Sequence, residues 1–87
     1  MIRYWFEFDF ENYLPVPSGT RTGCGVTAYS YEDALNIINE KIFNKIPTAP
    51  IKQVVENVDI SILDKGHVLP NMGLPNVRGI WFPLGYN

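Results

Sequence analysis

One cysteine, one histidine, no long apolar run and no excess of either charge set the first limits on this sequence. Cys24 stands alone, so an intramolecular disulfide is impossible and a reducing cytoplasm is the simpler expectation. His67 is the sole imidazole, and the carboxylates are scattered without a recognised ligand spacing, so neither a metal nor a cofactor is expected. The opening stretch Met1-Ile2-Arg3-Tyr4-Trp5-Phe6-Glu7 mixes charges among its apolar residues, which breaks the apolar core of a signal peptide. Nowhere does an apolar run reach the roughly 20 residues of a membrane span, so no membrane partner is expected. Seven Lys and Arg against nine Asp and Glu leave a net charge of -2. That balance lacks the basic stripe with which duplex nucleic acid is bound, and it is not acidic enough to mimic DNA.

What is present is apolar and aromatic. At 87 residues the chain has the size of one small domain, residues 1–87, and 46% apolar and 14% aromatic content supplies a core without a disulfide or metal. The first eleven residues alternate: Ile2, Tyr4, Phe6, Phe8 and Phe10 on one face, Arg3, Trp5, Glu7, Asp9 and Glu11 on the other. This is the period of a half-buried strand. Residues 12–25 hold two prolines and three glycines and read as a long hairpin loop, after which Gly25 to Tyr29, beginning nearer Cys24, resumes as a second, antiparallel strand. Ser30 and Asp33 form a variant capping box opening a helix over about 31–44, with Leu35, Ile38 and Ile42 as inner stripe, widened by Ala34 and Ile37, and with Pro47 and Pro50 to end it. Ile51–Asp59 reads as a third strand with Val54 and Val58 on one face and Val55 on the other. Residues 60–64 could extend it or make a 3₁₀ turn. A second long loop runs to Val77, and Arg78–Leu84 reads as a last strand that Pro83 keeps from a central position. The expectation is an α+β fold: a four-stranded antiparallel sheet in the order β-β-α-β-β, packed on one face by one amphipathic helix.

Loops longer than about 12–15 residues are uncommon in small domains unless functional or disordered, which directs attention to these two. Gly19-Thr20-Arg21-Thr22-Gly23-Cys24-Gly25 has the ingredients of an anion cradle, with convergent backbone N–H groups, two hydroxyls and a guanidinium fork, although it joins antiparallel strands and opens no helix. A flexible hairpin loop is the simpler reading. His67, Asn71 and Arg78 could ring a ligand from the second loop; a loop histidine bonded to backbone is the plainer alternative. Cys24 would be a nucleophile only if His67 approached it, and a lone cysteine at a strand start is more often a small buried residue. Trp5 and Trp81 lie opposite the inner residues of their strands, where either a partner or a folded-over loop must cover them.

No paired acid and base, metal set or cofactor fingerprint is visible, so a non-catalytic protein is expected. The leading expectation is a homo-oligomeric binding protein that holds a small anionic, nucleotide-like ligand between the two loops. Arg21 and Arg78 would meet phosphate, Thr20 and Thr22 would donate, His67 and Asn71 would complete the set, and Trp81 or Tyr86 would stack on a base. The alternative is a protein-interaction or inhibitor module that engages a protein partner through an exposed aromatic sheet face or an edge strand. The stretches His67–Gly73 and Arg78–Pro83 are dense in unusual residues, and the short self-contained chain resembles the small accessory proteins of bacteria and their phages, which points to that second class.

Overall fold

The structure is a computed structural model and describes residues 1–44 and 46–86. Strands β1 (Ile2–Phe8) and β2 (Cys24–Ala28), helix α1 (Tyr31–Lys41), and strands β3 (Ile51–Glu56) and β4 (Gly79–Phe82) follow in the expected β-β-α-β-β order. All strand pairs are antiparallel, and the spatial order is β3-β1-β2-β4.

The alternation of β1 builds the first core. Tyr4, Phe6 and Phe8 stack along one face with ring centroids 5.9 and 6.3 Å apart. Val26 and Cys24 of β2 lie directly across from Tyr4 and Phe6, and Ile80 of β4 joins them. Helix α1 lies over β2 and β4 and seals this face with Ala34, Ile37 and Ile38, while Ile42, Phe43 and Ala49 continue the cover toward Phe8. Leu35, expected in the inner stripe, is only half-buried.

The helix start follows its sequence signal. Ser30 caps by accepting from Asp33 N–H at 3.1 Å, and the Asp33 carboxylate accepts in return from Tyr29 N–H at 3.0 Å. One orphan donor of the first turn is thereby satisfied, and two acidic residues meet the positive helix end. The helix stops at Lys41, short of the expected residue 44. Asn44 takes a left-handed φ of 51°, so the chain reverses before either proline is reached.

A similar event shortens β3. Asn57, with φ 53°, ends the strand at Glu56 instead of Asp59, and Asp59 caps a 3₁₀ turn at Ile60–Ile62. The reversal also turns Val58 to the Trp5 face alongside Val55, where uninterrupted alternation would have left it beside Val54.

The largest departure concerns the second sheet face, which is covered. Trp5, Trp81 and Phe82 form a second core with Val58 and Val68, enclosed by Val55, Ile60, Leu63 and Met72. Trp5 is 5% exposed and Trp81 1%, so the chain folds its own 57–77 segment over the aromatic face.

Candidate functional site

The glycines of the first loop serve the tryptophans. A Cβ on Gly23 would sit 2.4 Å from the Trp5 ring, and one on Gly25 would sit 2.5 Å from three ring carbons of Trp81. At both positions an indole ring occupies the space a side chain would need, and Gly23 also holds a φ of 152°. The expected anion cradle therefore has its glycines engaged in packing. Thr20 is fully buried, and its hydroxyl donates to the Pro17 carbonyl at 2.7 Å, which closes a local turn. Trp81 is buried as well and offers no stacking surface.

The cationic side chains do not converge. Arg21 borders two open depressions, one with Asp9, Glu11 and Lys52 and one formed by its own loop, and neither contains His67 or Arg78. Arg78 is engaged elsewhere: its Nε donates to Asp33 Oδ2 at 2.9 Å, its Nη2 donates to Asp33 Oδ1, and its guanidinium lies 5.5 Å from the centre of the Tyr29 ring. The fork expected to meet phosphate ties the start of β4 to the helix start. Its hydrogen bonds hold the Asp33 carboxyl down at about 2, helped by Tyr29 N–H. Tyr86 donates its hydroxyl to Ser18 O at 2.8 Å and packs against the first core; burial raises its pKa.

Three expected residues do meet. Thr22 from the first loop faces His67 and Asn71 from the second across a cleft of about 320 Å³, floored by Phe82, Pro83 and Leu84. His67 Nδ1 lies 3.0 Å from Asp64 Oδ2, and Asn71 Nδ2 donates to the His67 carbonyl at 2.8 Å. The Asp64 carboxyl is lowered first by Gly66 N–H and then by His67. The cleft thus presents hydrogen-bonding groups over an apolar floor, with no Lys or Arg on its walls. That set suits a neutral polar ligand better than a phosphate. Cys24 is wholly buried, and desolvation pushes its thiol pKa up, away from the reactive thiolate. Among the described residues, no three His, Cys, Asp or Glu side chains gather as a metal would require, and no helix is long and apolar enough to cross a membrane.

The feature that residue-by-residue reading passed over is a contrast between sheet edges. Along β4 the chain supplies its own neighbour: Gly73 N–H donates to Trp81 O at 2.7 Å, and Leu84 N–H to Asn71 O at 3.2 Å. Along β3 no such backbone partner reaches the outer side among the described residues. Its residues Lys52, Gln53, Val54 and Glu56 are exposed, and the strand contains no proline. Three polar or charged positions in a six-residue strand are the sequence signal that could have marked it as an edge. Comparison of the chain with family models, curated proteins and solved structures returned no match.

Proposed function

We propose that this protein is a non-catalytic interaction module that recruits a protein partner by strand addition at β3. The observation that carries this reading is the asymmetry of the edges: one is bonded by the protein's own loop, and the other leaves the outer side of a six-residue strand open, regular from Gln53 to Glu56 and bulged against β1 at Lys52. Backbone hydrogen bonds to an added strand supply affinity, and alternate side chains supply selectivity. The aromatic-face version of an interaction module loses its surface, because Trp5 and Trp81 are packed under the 57–77 segment. The nucleotide-binding reading loses its cations, because Arg21 and Arg78 lie apart.

The test is affinity capture from the native host with wild-type protein and a Val54→Pro variant whose fold is verified by circular dichroism. A specific partner retained by the wild type and by His67→Ala, but lost with Val54→Pro, supports strand addition. Equal capture by the folded Val54→Pro variant refutes it. A second reading rests on the cleft of Thr22, His67 and Asn71, whose volume of about 320 Å³ lies at the lower end of ligand pockets. Neutral nucleosides and other polar heterocycles should then raise the melting temperature of the wild type and not of an Asn71→Ala variant. A panel without any shift discards it.

A further inference from the structure

We infer that the occupant of the β3 edge is a second copy of this chain, paired antiparallel about a two-fold axis through Val54; this rests on the strand-addition reading above. A two-fold axis perpendicular to a sheet pairs like strands so that one residue faces its own counterpart. With β3 bounded by Pro50 and by the left-handed Asn57, two registers use nearly the whole strand. An axis at Gln53 sets Lys52 against Val54 of the partner copy and leaves Glu56 outside the ladder. An axis at Val54 sets Val54 against Val54 in the middle and brings Lys52, the extra residue of the bulge against β1, beside Glu56 of the partner copy at both ends. Directly opposed residues in an antiparallel pair have Cβ atoms about 4.5–5.5 Å apart, where opposite charges attract and like charges repel.

The charge pattern of Lys52-Gln53-Val54-Val55-Glu56 is thus complementary to its own reverse. Val54 sits on the side of the sheet facing the helix, since it pairs with Phe6, and is 36% exposed. In the dimer the two Val54 side chains cover each other beside the Tyr4 and Phe6 rings. The same pairing joins the two four-stranded sheets into one and leaves the self-bonded β4 strands as the outer edges.

The test uses the intact chain. Under mild oxidation Val54→Cys should give a disulfide-linked dimer that a thiol reductant dissolves, and Gln53→Cys should give far less. Cys24 is buried in both and serves as an internal control. By sedimentation, Lys52→Glu and Glu56→Lys should each weaken the dimer about tenfold or more, since each replaces two attractions by two repulsions. The double variant Lys52→Glu/Glu56→Lys should restore wild-type affinity. Equal cross-linking at positions 53 and 54, or charge reversals without effect, overturns this register. A wild type that is monomeric at millimolar concentration overturns the second copy as occupant, and the capture experiment then judges strand addition to a different protein. A dimer that survives in folded Val54→Pro refutes both.

Discussion

The two edges of this sheet answer one physical problem in opposite ways. An edge strand leaves a row of backbone donors and acceptors that any extended chain can complete. At β4 the solution is internal: the strand is four residues long, Gly73 bonds to it from outside, Arg78 fastens its start to Asp33, and Pro83 follows its end. At β3 the strand is longer, exposed and guarded by a bulge at Lys52 and by charged side chains such as Lys52 and Glu56. The difference assigns a purpose to the second long loop. It covers two tryptophans and bonds to an edge, so its length follows from packing and closure and needs no ligand to justify it.

Breaking the closed edge should produce the largest effect. Trp81 fills the second core against Trp5 and Phe82, and truncation of such a ring costs about 3–5 kcal/mol. We expect Trp81→Ala to lower stability by that amount in urea, with amide protection lost across residues 71–84. If the loss stays below about 1 kcal/mol, the tryptophan does not hold that edge shut. Gly25→Ala tests the same packing from the other side. A methyl placed 2.5 Å from the Trp81 ring must displace it, and overpacking of this kind costs about 1–3 kcal/mol. An alanine that stabilises, as helix or strand propensity alone would favour, would show that the ring yields freely.

These positions also show how much was legible beforehand. The period of two from Ile2 to Phe8 and the Ser30–Asp33 signal depend on near neighbours, and both elements form where local pattern places them. The ends of α1 and β3 escaped because Asn44 and Asn57 adopt left-handed conformations, which asparagine tolerates but does not announce. The glycines of residues 19–25 resemble a cradle because a sequence shows freedom of the backbone and not what lies against it. Only the fold reveals that indole rings occupy that space. Likewise Arg78 was a phosphate candidate until Asp33, 45 residues away, proved to be its partner. Of the expected site, Thr22, His67 and Asn71 alone share a cleft.

The fastening of the closed edge can be weakened by acid. Asp33 has an ordinary pKa of 3.8 and a folded value of about 2, so its contribution is present above pH 3.8 and is lost as pH falls toward 2. The melting temperature should therefore decline across that window. Asp33→Asn should lower it at neutral pH and flatten the decline, leaving a residual slope from Asp59 and Asp64, whose carboxyls are lowered as well. A pH profile identical to wild type would remove the ion pair from the account of how β4 is held.

Val54→Lys should have the smallest effect on the isolated chain and separates the two edges most cleanly. The side chain is more than a third exposed at the open edge, and substitutions in such places usually change stability by no more than about 0.5 kcal/mol. Its backbone groups remain available, since lysine keeps the N–H that proline would remove. The added charge, however, faces any strand laid along β3 and is the kind of residue with which natural edges repel one another. Unchanged urea unfolding together with weakened association would place the function of β3 outside the fold's own stability. A loss of several kcal/mol would mean that β3 is held as tightly as β4, and the contrast between the edges would fall.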